Sequence, residues 1–266
     1  MKFAVKSVLV AAVLVLSPYA TWCQDAKPGT IHVFVALADN EHQGIVPVAA
    51  VLGNGEDAER NLYWGSAYGV KTFFSRSVEW ERLGCDQKPT PAILERCIFK
   101  YRTSSVYLIA DAYRGIEIRR AIADFLDSAA GGGVDTVSTS FRPASTVVNL
   151  PAHGGATLVV YVGHDGLMDF RLPQYPRQKK GTDREAIVLA CASKQFFAEA
   201  MRANGAYPLL WTTGLMAPEA YTLKAALDGW IAGENREQVR QRAAAAYDKY
   251  QKCGWKAAHR LLASGW

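Results

Sequence analysis

The chain has no Walker loop and no G-x-G-x-x-G motif after its first predicted strand, and "YWGSAYG" does not fit the G-x-S-x-G nucleophile elbow. A nucleotide-dependent enzyme and a serine hydrolase are both disfavoured, and no cofactor is expected. A stripe of basic and aromatic residues is also missing, so nucleic acid has no electrostatic footprint to bind. The formal net charge is +5, with acidic and basic residues interleaved. Basic side chains gather only in "RQKKGTDR", Arg177 to Arg184, which reads as a solvated loop. Tandem repeats and low-complexity tracts are absent from the sequence. The apolar run Val8 to Leu16 is too short to cross a bilayer of about 30 Å as a helix, so no integral span is expected in the mature chain.

What is present fits an exported globular protein. The 266 residues are 50% hydrophobic and 21% charged, enough to bury one sizeable core. Lys2 and Lys6 precede the run Val8 to Leu16 and polar chain begins by Gln24, the layout of a secretory signal over residues 1–23. Bulky Trp22 before Cys23 argues against a lipid anchor at that cysteine and for cleavage between Ala20 and Cys23. The mature chain, residues 24–266, is then expected in a periplasm or outside the cell, as one domain with a C-terminal helical region. Of five cysteines, four remain: Cys85, Cys97, Cys191 and Cys253. Cys85 and Cys97 flank "CDQKPTPAILERC" and are the natural disulfide pair in an oxidising compartment. For Cys191, a bridge to Cys253 or an inert buried thiol stands beside any catalytic reading.

Strands and helices alternate along the chain. "TIHVFVALA" (Thr30 to Ala38), Val106 to Ala110, Thr157 to Val162, Ala186 to Ala190 and "YPLLWTTG" read as buried strands. "NLYWGSAYGVKTFF", "IEIRRAIADFLDSAA", "KQFFAEAMRANG", "PEAYTLKAALDGWIAG" and Arg236 to Leu262 have helical spacing. Such alternation predicts an α/β fold, a three-layer α/β/α sandwich with a mainly parallel sheet.

In sheets of this kind ligands bind beyond the carboxyl ends of the strands. The polar groups expected there are Asp39 to Gln43, Asp111, His164 with Asp165, Cys191 with Ser193, and Thr212. A histidine and a cysteine ending consecutive strands are the parts of a dyad in which imidazole takes the thiol proton and later protonates a leaving amine. Blander readings stand alongside: His164 as a hydrogen-bonded structural residue, Asp165 as a turn cap, Asp169 as a surface charge. Asp39, Glu41 and His42 carry metal-ligating groups but have no closing partner, so no metal site is expected.

"YVGHDG" and "IVLACAS" resemble the strand-end motifs of the caspase and legumain superfamily of cysteine peptidases, which includes gingipains and separases. The resemblance covers the strand and helix order from about Thr30 to Gly233. It implies a caspase-hemoglobinase fold, cleavage of peptide bonds in a peptide or protein substrate, Cys191 as nucleophile and His164 as base. The family usually has glycine directly after the histidine. Here Asp165 intervenes, so the amides of Gly166 and Asp165 are both candidates for the oxyanion. Leu189 stands where the family often has a polar pocket residue, so a legumain preference for asparagine does not transfer. Asp39, His42, Asp111 and Thr212 are the expected substrate contacts. A catalytically inactive binding module of the same fold is the alternative.

Overall fold

A computed structural model describes residues 29–141, 146–179, 181 and 184–266. The expected signal segment and Cys23 lie outside the described residues. In chain order the elements are β1 (Gly29–Ala36), α1 (Val70–Ser75), β2 (Trp80–Thr90), β3 (Ile93–Tyr101), β4 (Val106–Tyr113), α2 (Ile118–Ala129), β5 (Asp135–Phe141), β6 (Thr146–Ala152) and β7 (Leu158–Val162). They continue with β8 (Glu185–Leu189), α3 (Ser193–Phe196), α4 (Ala198–Asn204), β9 (Tyr207–Thr212), α5 (Ala220–Ile231), α6 (Arg236–Gln251), α7 (Trp255–Leu261) and β10 (Leu262–Ala263).

One mixed sheet of eight strands runs in the order β10-β9-β8-β7-β1-β4-β3-β2. From β4 through β1, β7 and β8 to β9 the pairing is parallel; β3 and β2 extend one edge antiparallel and β10 the other. The expected α/β fold with a mostly parallel sheet is therefore present. Its antiparallel margins went unread because β2 is exposed along nearly its whole length and so carries little hydrophobic pattern. β5 and β6 form a separate hairpin, also absent from the sequence reading.

Parallel strands covered on both faces need apolar residues at successive positions. β1 meets this condition from Val33 to Ala36, and every residue from Thr30 to Ala36 is buried, Thr30 and His32 included. Its alternate side chains feed two cores. Ile31, Val33 and Val35 pack with Phe74 of α1, Leu227 of α5 and Val239 of α6, while Phe34 packs on the other face with Phe125 of α2 and Met201 of α4. Helices thus cover both faces, a layout compatible with three layers. Among the described residues no helix is long and apolar enough to cross a membrane.

Local chemistry sets the helix limits. α2 stops where Gly131 turns to φ +85°, and Gly205 (φ +73°) closes α4, left-handed positions that glycine tolerates. Asn235 opens α6 with a reciprocal capping box to Gln238. Over residues 61–74 only Val70 onward is helical, against the expectation of one helix. Asn61 explains the difference. Its side chain accepts from the amides of Ala38 (3.0 Å) and Tyr63 (3.1 Å) and donates to the carbonyls of Ala38 (2.8 Å) and Asn54 (3.0 Å), locking the segment as turns against β1. "KQFFAEAMRANG" likewise forms two short helices, α3 and α4, where one was expected.

Cys85 and Cys97 face each other across β2 and β3 and are joined as a disulfide, with Cα atoms 4.1 Å apart. The expected pair is therefore present, within a hairpin. Cys191 and Cys253 are free thiols, so the bridge between them is not formed. The bond closes a loop with a sequence separation of 12. Cys85→Ser is expected to destabilise the fold by about 3 kcal/mol in the chain-entropy treatment, read from guanidinium midpoints. Peptide mapping without reductant should recover the linked pair, and two alkylated cysteines in that map would overturn the assignment.

Candidate active site

The strand order places the second parallel strand, β4, on one side of β1 and the third, β7, on the other, so the chain changes direction of winding between β1 and β7. Crevices open beyond the carboxyl ends of strands at such a point. Gly163, directly after β7, makes the close approach possible. Its φ is +149°, and a Cβ there would stand 2.9 Å from the Ala36 carbonyl oxygen of β1. Its amide donates to the Leu189 carbonyl of β8 at 3.2 Å. One glycine thus touches the ends of both neighbouring strands.

His164 follows and is 7% exposed. Its Nε2 lies 2.6 Å from Asp169 Oδ2, and the Gly44 amide donates to the same oxygen at 3.2 Å. Because a carboxylate only accepts, this contact puts a proton on Nε2, and in the neutral ring the lone pair is then on Nδ1. The Tyr161 hydroxyl donates to the His164 carbonyl at 2.7 Å, and the Gly166 amide donates to it at 3.0 Å. The Gly166 amide is therefore spent on the turn. The Asp165 amide, the other oxyanion candidate, donates to no protein acceptor among the described residues.

The Asp165 side chain points inward and is fully buried. Oδ1 caps the turn by accepting from the Leu167 amide at 3.1 Å, as the turn-cap reading expects, while Oδ2 has no partner. Burial pushes this carboxyl up to about 7; the Leu167 and Met168 amides pull against that, and the Asp169 charge adds to it.

Cys191 leaves β8 in a sharp turn into α3. The next residue, Ala192, has φ +48° and ψ +32°, a left-handed conformation that a side chain makes costly. Strain at a strand-to-helix turn is common where a nucleophile is presented. The turn is over-determined by hydrogen bonds. The Ala192 amide donates to the Gly214 carbonyl (2.8 Å) and the Ser193 amide to Thr212 Oγ1 (3.1 Å), while Thr212 Oγ1 donates to the Ala190 carbonyl. Thr212 is fully buried and clamps this turn, so it is not at the surface as a substrate contact. Cys191 Sγ donates to the Met216 carbonyl at 3.5 Å and accepts from the Met216 amide at 3.4 Å. Burial pushes the thiol pKa up, the Met216 amide opposes this, and ionised Asp165 raises it further. Among the described residues no hydrogen bond joins Cys191 to His164.

The loop after β1 closes the opposite side. Asp39 is buried; its Oδ1 accepts from the amides of Glu41 (2.9 Å) and His42 (3.1 Å), and its Oδ2 pairs with His42 Nδ1 at 2.9 Å. Gln43 Nε2 donates to the carbonyls of Leu37 (2.8 Å) and Gly115 (2.9 Å). Asp39 therefore holds the loop, and the half-exposed His42 ring is what it presents to solvent. Through Gly44 the loop reaches Asp169, so the structure does bring it beside His164.

Asp111 belongs elsewhere. It is fully buried beneath α2 and the β5–β6 hairpin, held by Arg96 at 2.6 and 2.7 Å and by His32 Nε2 at 3.0 Å. Burial pushes its carboxyl up, but those two partners outweigh it and hold the group well below the usual carboxylate range. His32, Asp111 and His153 offer donor atoms within 4.8 Å of one another. The first two are already committed to one another, whereas the buried His153 Nδ1 has no hydrogen-bond partner among the described residues. The His153 amide donates to His32 Nδ1 at 2.9 Å, which fixes the His32 proton on Nε2 toward Asp111, and Arg96 brings a fixed positive charge. The group suits a structural network better than a cation. Asp111→Ala is expected to cost about 3–5 kcal/mol by leaving Arg96 buried and unpaired, measured by denaturant unfolding, whereas a substrate contact would change little.

Asp165 makes the fold sensitive to pH with a definite sign. Its folded value of about 7 lies above the ordinary 3.8, so its stabilising contribution is complete below 3.8 and is lost as pH rises through about 7. Asp165→Asn keeps the cap without the charge. Guanidinium titrations at about pH 5 and about pH 8 should show the variant gaining on the wild type at the higher pH. A gap that does not move with pH would contradict the burial of this carboxyl.

Asp169, Met216 and Ala192 are the participants that sequence reasoning missed. The only signal was the short spacing of Asp169 from His164 across a glycine-containing turn, which equally suits a surface charge. The chain matches no protein-family model, and neither curated proteins nor solved structures show significant similarity to it.

Proposed function

We propose that the chain is an exported cysteine-dependent peptidase or amide hydrolase of the caspase and legumain kind, with Cys191 as nucleophile and His164 as base. The observation that carries this reading is the register of β7 and β8. Val162 pairs with Leu189, and His164 and Cys191 each stand two residues beyond that pair, at the edge where the winding reverses. Asp169 adds the group that orients the base, completing the relation of nucleophile, base and carboxylate.

The chemistry follows from the lone pair on His164 Nδ1. With the thiol pKa raised by burial, the sulfur carries its proton in the ground state, so proton transfer accompanies attack. Sγ forms a bond to the substrate carbonyl carbon as Nδ1 takes its proton, and the carbonyl oxygen becomes an oxyanion; the Asp165 amide, which has no acceptor among the described residues but belongs to a fully buried residue, would reach it only after the turn opens. Collapse breaks the C–N bond, the imidazolium returns the proton to the amine, and water activated by His164 then hydrolyses the thioester. Asp169 stabilises the transient imidazolium. The bonds between Cys191 and Met216 must break first, a rearrangement consistent with the looser geometry of unliganded sites. A caspase-hemoglobinase-like three-layer fold, removal of residues 1–23, and a peptide or protein substrate belong to the same proposal. The disulfide suits an oxidising compartment.

One observation favours the second reading, an inactive binding module: the sulfur is held by Met216, and burial and Asp165 both oppose its ionisation. Alkylation separates the two. In a Cys253→Ser background, iodoacetamide labelling of Cys191 is expected to slow by at least about tenfold in His164→Ala near pH 7, and less in Asp169→Asn. At about pH 10 the His164→Ala difference should vanish, because the thiolate then forms without a base. Equal rates near pH 7 would remove the dyad and leave the binding module. Cleavage of a mixed peptide library by the wild type but not by Cys191→Ser would complete the case.

A further inference from the structure

A cavity of about 490 Å³ lies between α1, α5 and α6, on the face of the sheet opposite α2. Its volume falls within the range of small-molecule sites, and so does its lining of aromatic walls with a few polar groups. Tyr221 and Tyr250 are stacked, with centroids 4.2 Å apart and an interplanar angle of 6°. Tyr68 stands edge-on to both, at 5.8 and 5.3 Å, and Phe73 does the same at 6.4 and 6.1 Å. Rings that brace one another lose little freedom when a ligand arrives, so the wall is pre-organised for another planar group. Tyr68 is 43% exposed and leaves the wall open to solvent.

The charges around this wall do not cancel. Lys224 and Asp228 neutralise each other at 2.7 Å, and Lys224 also meets Glu79 at 3.1 Å. Arg76 and Lys249 line the same cavity, and among the described residues neither has a carboxylate partner. Lys249 reaches over the Tyr250 ring, 5.6 Å from its centroid. What remains unanswered is positive charge at the rim of an aromatic wall. A neutral sugar would need several free in-plane acceptors; of Asp228, the only carboxylate among the lining residues, Oδ2 is taken by Lys224 and Oδ1 alone is without a partner among the described residues. A planar ring bearing a carboxylate answers both features: the ring packs against Tyr68 and its neighbours, and the carboxylate meets the guanidinium and ammonium groups.

We infer that this cavity is a binding site for a small aromatic carboxylate. The inference is independent of the chemistry at Cys191. Titration calorimetry and saturation-transfer NMR on the full chain, with benzoate and indole-3-acetate as probes, test it. Saturable binding of at least one aromatic acid is expected, with acetate and benzyl alcohol weaker by at least about tenfold, because each lacks one of the two matched features. The exposed pair Arg76→Ala and Lys249→Ala, combined in one variant, should weaken the acids by at least about tenfold without unfolding the protein. Absence of saturable binding by both acids overturns the inference. So does unchanged affinity in the double variant, or benzyl alcohol binding as tightly as benzoate.

Discussion

Parallel pairing of β1 with β7, and of β7 with β8, is the constraint on which the candidate site depends. Val35 pairs with Val162 and Val162 with Leu189, so three segments leave the sheet at one level. Gly163 permits that packing because its missing Cβ leaves room for the Ala36 carbonyl. Everything beyond the edge then follows from short local bonds: Gly44 to Asp169, Asp169 to His164, Gly163 to Leu189. A one-residue slip between β7 and β8 would reverse the faces of β8 and move Cys191 relative to His164, so the packing of both cores fixes where the two residues stand.

Two buried aspartates show how their partners decide whether a carboxyl stays ionised. Asp111 and Asp165 are both fully buried. Asp111 has a guanidinium and an imidazole for partners and stays ionised, tying β4 to β3 and β1. Asp165 has amides on one oxygen and nothing on the other, so its carboxyl titrates near neutrality beside the thiol. Desolvation acts on both, and the presence of an opposite charge decides the outcome. Stability in the first case and pH sensitivity in the second come from the same side chain.

How far the sequence could be read depended on whether its signals were local. β1, β4, β7, β8 and β9 announce themselves as apolar runs ending in polar groups because both faces of each are covered. That pattern was enough to mark His164 and Cys191 as strand-end residues and to put the Asp39 to Gln43 loop at the same edge, where it meets His164 through Asp169. β2 is polar on both sides as an edge strand, and β10 is too short to carry a period. The aromatic spacing of residues 61–74 was overridden by Asn61, whose bonds reach back to Ala38. Asp111 and Thr212 looked like strand-end contacts, yet the first turns beneath α2 toward Arg96 and the second into the Cys191 turn. Such orientations depend on partners distant in sequence, which no local pattern encodes.

The central claim is that His164, held by Asp169, offers a lone pair on Nδ1 to Cys191. Nitrogen-15 NMR of the His164 ring near neutral pH tests it directly, since the two tautomers have distinct nitrogen shifts. The neutral ring should carry its proton on Nε2, with an unprotonated Nδ1 whose shift changes when Cys191 is alkylated. A ring protonated on Nδ1, or an Nδ1 shift indifferent to modification of Cys191, would contradict the account.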